Sequence, residues 1–168
     1  MKTMSKQGFV CYTYKIKHYR SLSFIHLINY FPGTVETGQR DSSKLAFWMA
    51  NSSELLHFLK SDRHITAFSI RAQDILAEAV HNAFKFLVAF FQDELDMCMP
   101  AILSETEDDE LATSGIMKTL TMAMGLLRKC RVNAALTIQL FSQLFHFINM
   151  WTFNQIVTSD VKNYCTHR

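Results

Sequence analysis

From residue 44 onward apolar positions recur at three- and four-residue steps, the period of amphipathic helices, and polar interruptions divide the run into four helical segments. The first carries Leu45, Trp48, Met49, Ser52, Leu55, Leu56 and Leu59 on one side, with Asp41 or Ser42 placed to cap its N-terminus. Ser61-Asp62-Arg63-His64 breaks that pattern. A longer helix follows from about Ile70, with Ile75, Leu76, Ala79, Val80, Ala83, Leu87, Phe90 and Phe91 on its buried side, and Pro100 closes it. A third segment, from about residue 114 to 128, aligns Met117, Leu120, Met124 and Leu127. Arg128 and Lys129 fall in its last turn, where cations suit the negative end of the helix dipole. Between them lie Asp93, Glu94, Asp96, Glu105, Glu107, Asp108, Asp109 and Glu110 with no Lys or Arg, so residues 104–112 read as a solvated acidic loop.

The fourth segment, residues 132–159, contains no charged side chain. Its length would cross a bilayer, but Asn133, Gln139, Gln143, His146, Asn149, Asn154 and Gln155 interrupt it, and hydrocarbon offers those groups no hydrogen-bond partner. Two apolar faces emerge, one with Ala135, Ile138, Ser142, Phe145, Ile148 and Asn149, the other with Leu136, Leu140, Leu144, Phe147 and Trp151. The expectation is a helix at the centre of a bundle, packed on both sides, its amides bonded to neighbouring helices.

Residues 1–40 differ in kind. Lys2, Lys6, Lys15, Lys17, Arg20 and Arg40 stand against one acid, Glu36; residues 9–16 alternate β-formers, and residues 22–31 read as a short helix or a strand. Pro32-Gly33 ends that segment, and residues 34–43 read as a linker. The expected organisation is a basic, aromatic segment over residues 1–43 followed by a helical domain over residues 44–168.

At 168 residues the chain suits one globular domain, its 49% hydrophobic content excludes disorder, and a net charge of +2 provides no strong field for nucleic acid or anionic lipid. Only 5 Gly and 2 Pro favour long helices over a sheet with many turns. Cys11, Cys98, Cys130 and Cys165 form no Cys-x-x-Cys pair and follow no leader, so reduced cytosolic thiols are expected. Asn51-Ser52-Ser53 matches a glycosylation acceptor, but it lies in a predicted helix.

The sequence gives catalysis little to work with. The acids lack the spacing of a calcium loop, the histidines, among them His57, His64, His81 and His146, form no zinc spacing, and the glycines form no phosphate loop. Cys165 beside His167 has no orienting third group. The reading is therefore no catalytic residue, no cofactor and no metal site. The basic stretch Tyr12 to Arg20 is the sole candidate for nucleic acid and is too short a footprint for it, while the basic aromatic N-terminus over residues 1–40 is the candidate for a membrane surface.

Three strings, KLAFWMANSSELLHFLKSDR, AQDILAEAVHNAFKFLVAFFQDEL with MPAIL, and LLRKCRVNAALTIQLFSQLFHFINMWTFN, closely resemble the dilute domain of the afadin/canoe family. The resemblance runs from about Lys44 to Cys165, and related domains occur in class V myosin tails and Ras-interacting endothelial proteins. It implies an all-α bundle of the dilute-domain type, partial at its C-terminal side, with residues 1–43 outside the family pattern. It also implies that Trp48, Phe141, Phe145 and Trp151 are core residues. The function it implies is a non-catalytic protein-interaction module of a cytoplasmic scaffold that links cell-cell adhesion sites to actin. Its partners would be helical or peptide segments of adhesion-complex and actin-linked proteins, with no nucleic acid and no transmembrane span. A peripheral membrane protein, and behind it an enzyme of unknown type, are the alternatives.

Overall fold

The computed structural model describes residues 41–103 and 109–158, and over them the chain is all-α. Helices α1 (Ser42–Ser61), α2 (Ile70–Cys98), α3 (Asp109–Cys130) and α4 (Ala134–Thr158) follow one another, with 3-10 turns at Thr66–Phe68 and Met99–Leu103. The basic segment 1–40, residues 104–108 of the acidic stretch and the Cys165–His167 tail lie outside the described residues.

Helix α1 begins where Asp41, in extended backbone, accepts a hydrogen bond from the Lys44 amide at 3.1 Å. That bond satisfies one of the first-turn N–H groups left without an intrahelical partner, so Asp41 rather than Ser42 is the cap. The Lys44 ammonium also lies 3.4 Å from the same carboxylate. Leu45, Ala46, Met49, Ala50, Ser52, Leu55 and Leu59 form the buried stripe, while Trp48 and Leu56 are half-buried at its margins. Asn51 donates its side-chain amide to the Phe47 carbonyl at 2.7 Å, which makes the Asn51-Ser52-Ser53 triplet a turn of helix. The Ser52 hydroxyl is buried without a hydrogen-bond partner among the described residues.

The corner between α1 and α2 is tied by short polar side chains. The Asp62 amide bonds the Phe58 carbonyl at 3.2 Å, and its carboxylate accepts from the His64 amide at 2.9 Å, so the polar break expected at residues 61–64 is an Asx turn. The Thr66 hydroxyl sits 3.0, 3.3 and 2.7 Å from the carbonyls of Leu59, Lys60 and Asp62. It thereby serves the end of α1, where helix carbonyls run out of amide partners. Gln73 reaches back with its amide to the Thr66 carbonyl at 3.1 Å and the Ser69 hydroxyl at 2.9 Å. Beneath this polar lacing Leu55, Leu59, Ala72 and Leu76 are buried together, flanked by Leu56, Phe58, Ile65 and Ile75. Each fully buried leucine there contributes about 1.5–3 kcal/mol.

The chain divides into two compact units. One takes in α1, α2 up to Leu87, and Gly125–Asn133; the other takes in Val88–Met124 and the chain from Ala134 onward. In the first, the α2 stripe is Ala72, Leu76, Ala79, Ala83 and Leu87, matching the expected buried side. In the second, Phe91, Leu95 and Met99 continue it; Ile75 and Val80 of the first unit and Phe90 of the second are half-buried. Pro100 lies in the 3-10 turn that follows α2, as its missing N–H requires.

Two expectations for α3 are corrected. It starts at Asp109, not near residue 114, so the end of the acidic run belongs to the helix. The first turn is where a helix dipole welcomes carboxylates, which a charge run read as loop does not reveal. Its buried stripe is Ile116, Thr119, Ala123 and Leu127: Leu127 is buried as expected, while the first three lie one position before the expected Met117, Leu120 and Met124, of which Met117 is at 59% exposure and the other two are half-buried. Within this unit α3 comes close to the end of α2: a Cβ at Gly115 would lie 2.7 Å from the Cys98 Cβ. At its other end the Val132 amide bonds the Leu127 carbonyl at 3.0 Å and the Arg131 amide the Arg128 carbonyl at 3.1 Å, with Arg131 at φ 55°. This is the Schellman turn, built with an arginine where glycine is usual.

Candidate functional site

Helix α4 is where the structure departs most from the sequence expectation. Only Leu140 and Leu144 are buried, with Leu136, Phe141, Phe147, Ile148 and Trp151 half-buried around them. At 100° per residue this group occupies one side of the cylinder. The opposite side carries Ile138 at 67%, Phe145 at 55%, Phe153 at 59% and Ile156 at 52% exposure. Met150 and Val157 extend that surface along its edge.

The expectation of packing on both sides is therefore corrected. The face of Leu140 and Leu144 is buried, and the face of Ile138 and Phe145 is open. Phe145, expected in the core with Trp48, Phe141 and Trp151, projects outward, its ring 6.1 Å from that of Phe141, while those three are half-buried. The amides do not line an interior either: Asn133, Gln139, Gln143, His146, Asn149 and Asn154 are exposed, and Gln155 is half-buried. Periodicity shows that a helix has two apolar faces; whether each has a neighbour is a property of the rest of the molecule.

An exposed surface of this sort has a definite chemistry. It offers aromatic and branched side chains for burial, hydroxyl and amide groups at Ser142 and Asn149 for hydrogen bonds, and no charge to steer or repel an approaching group. None of the described helices is long and apolar enough to cross a membrane. Among the described residues no group of three His, Cys, Asp or Glu side chains gathers as metal ligands would. His57, His64, His81 and His146 are all exposed on separate turns. Cys98 and Cys130 are free thiols, and burial pushes the Cys130 thiol up against a weaker opposing pull from Lys129, which lowers its thiolate content and its nucleophilicity. The site that the geometry offers is the open face of α4, which sequence reasoning placed in the core. Its one legible signal was the lack of any Lys, Arg, Asp or Glu on either side of the helix.

No family model matches the chain, and no solved structure matches it. Among curated proteins it is similar to the human Ras-associating and dilute domain-containing protein, at 25% identity over 162 aligned residues that cover 76% of this chain. The chain spans 15% of the length of that relative. The similarity indicates a relationship to dilute-domain proteins, in keeping with the all-α architecture, and carries nothing specific to afadin or canoe.

Proposed function

We propose that this chain is a non-catalytic protein-interaction module of the dilute-domain type, and that the open face of α4 is where it docks. One observation carries the reading: a 25-residue helix without a charged side chain holds Ile138, Phe145, Phe153 and Ile156 in water. Monomeric soluble proteins seldom leave apolar patches of more than a few hundred Å² uncovered unless the patch has a use. The similarity to a dilute domain-containing protein supports the same reading from the side of the sequence. The afadin-like strings extend it to a cytoplasmic scaffold at cell-cell junctions, with adhesion-complex and actin-linked proteins as partners. Ras association, named for the human relative, is not placed on this chain.

Phe145→Glu tests the docking face, since a charge at its centre opposes burial while the outward position spares the fold. Proteins captured by the wild-type chain from epithelial lysate are expected to be lost with this variant, at unchanged helicity. Retention of the same set would remove α4 from the docking surface. The scaffold role is checked separately: tagged chain is expected at cell borders, and uniform distribution would count against it. Thermal melts across nucleotides and divalent metals address the enzymatic alternative, because a bound ligand raises the melting temperature by mass action.

A further inference from the structure

We infer that the corner where α3 ends is a docking surface for a short acidic peptide segment of a partner protein, with Arg128, Lys129 and Arg131 gripping its clustered oxyanions. The inference stands whether or not the open face of α4 docks a partner. All three side chains are exposed, and among the described residues none of them forms an ion pair. No Asp or Glu occurs between Glu110 and Asp160, so the chain on either side of the corner offers them no carboxylate. Three like charges within four residues repel one another until an anion joins them. Two of the three are guanidinium forks, which match a carboxylate or a phosphoester with paired hydrogen bonds.

Arg131 marks the corner as more than a helix end. Cations in the last turn suit the negative end of the α3 dipole, which accounts for Arg128 and Lys129. Arg131 lies beyond that turn at φ 55°, where a Cβ crowds the backbone and glycine is favoured. The two bonds of the turn, Val132 amide to Leu127 carbonyl and Arg131 amide to Arg128 carbonyl, are main-chain, and neither needs the guanidinium. A strained position held by a side chain that the turn does not use points to a residue kept for contact. The surroundings select a short segment as the partner. The corner belongs to the compact unit of α1 and the first part of α2, where Lys and Arg outnumber Asp and Glu by eight to five among the described residues; in the other unit the ratio is one to five. The net charge of +2 therefore conceals a basic unit and an acidic one. A bilayer or a nucleic acid presents an extended field that the acidic unit opposes, whereas a peptide of a few residues addresses the corner alone. Arginine clusters recognise acidic motifs in this way.

Fluorescence anisotropy of the full chain with labelled hexaglutamate, and with a labelled triphosphoserine peptide, tests the assignment at low and high salt. The chain is expected to bind at least one of them, more weakly as salt rises, and the one bound identifies the oxyanion. Arg128→Gln, Lys129→Gln and Arg131→Gln together are expected to weaken binding about thirtyfold, while Lys15→Gln, Lys17→Gln and Arg20→Gln together leave it unchanged. Arg131→Gly separates contact from structure: it is expected to raise the melting temperature, because glycine adopts the turn without strain, and yet to weaken binding about threefold. Circular dichroism confirms that each variant keeps its helices. Binding of neither peptide overturns the assignment, as does a loss that follows the Lys15, Lys17 and Arg20 substitutions and spares the corner. An Arg131→Gly chain that melts lower and binds unchanged overturns it too, by making the arginine structural. So does corner-dependent affinity for phosphatidylserine vesicles or single-stranded DNA without affinity for either peptide, which gives the surface to a membrane or a nucleic acid.

Discussion

Helices α1 and α4 both carry leucines and aromatics on successive turns, yet seven residues of α1 are buried and two of α4. The difference lies in what fills the other side. Lys44, Glu54, His57 and Lys60 point α1's remaining surface at water, so one orientation buries its leucines and hydrates its charges, with the Ser52 hydroxyl the one buried group it leaves unpartnered among the described residues of the helix. Helix α4 has no Lys, Arg, Asp or Glu to mark an outer face, and its second apolar side stays uncovered. A sealed helix reports on stability, whereas a helix with spare apolar surface reports on what else the protein meets.

Paired substitutions in the two regions expose that contrast most strongly. Leu76→Ala removes a side chain buried with Leu55 and Leu59, and is expected to cost about 2–5 kcal/mol in urea unfolding. Phe145→Ala removes a larger side chain from the open face of α4, and the cost is expected to stay within about 0.5 kcal/mol. Equal losses at the two sites would mean that the α4 face is covered after all.

The tight approach of α3 to the end of α2 shows that the unit containing α4 is not loosely built throughout. Alanine at position 115 would improve intrinsic helix propensity by about 1 kcal/mol, but its Cβ meets the Cys98 Cβ at 2.7 Å. Overpacking of this kind is expected to win, for a net loss of about 1–3 kcal/mol in Gly115→Ala. A more stable variant would show that this contact yields easily, and that α4 is not exceptional in its unit.

What the chain disclosed in advance follows the range of the interactions involved. The start at Ile70, the break after Ser61 and the stop near Pro100 depend on groups within a turn or two of each other, and all stand where the pattern set them. The α3 stripe slipped because Met117 and Ile116 are equally apolar, and only packing separates 59% exposure from burial. The α4 face was misassigned for a stronger reason. A heptad of Ile138, Ser142, Phe145, Asn149, Thr152 and Ile156 has the same spacing whether a neighbour covers it or not, so its state is tertiary information. Thr66 escaped notice as well, since its hydroxyl finds carbonyls up to seven residues back, outside the span of local capping patterns.

That hydroxyl supplies a smaller test of the sealed region. Thr66→Val keeps the shape but takes the hydroxyl away from the Leu59 and Lys60 carbonyls at the end of α1, while the Asp62 carbonyl keeps the amides of Ile65 and residue 66, and the expected loss is about 1–2 kcal/mol in unfolding free energy. Native-state hydrogen exchange should quicken in the last turn of α1 and leave α4 unchanged. A uniform rise across both helices would instead mean that the corner and α4 open as one cooperative unit.

The smallest expected effect is a pH dependence confined to the start of α1. The hydrogen bond from the Lys44 amide, supported by the Lys44 ammonium and opposed by slight desolvation, holds the Asp41 carboxyl below its ordinary value. A carboxyl whose folded-state pKa is depressed contributes stability above its unfolded pKa, and that contribution fades as pH falls through the folded value. The window is therefore the acid limb below about pH 4. Because Asp41 and Lys44 are both well exposed, solvent screens the charge, and the gain is about a few tenths of a kcal/mol. Asparagine caps nearly as well without a charge, so Asp41→Asn isolates the ionic part. Its melting temperature is expected to fall slightly below wild type at pH 7 and to converge on it as pH falls through the folded-state value of the Asp41 carboxyl. If the Asp41→Asn difference persists in acid, the cap acts through hydrogen bonding alone. α1 would then lack the ionic anchoring at its N-terminus that helps distinguish it from α4, which has no Lys, Arg, Asp or Glu.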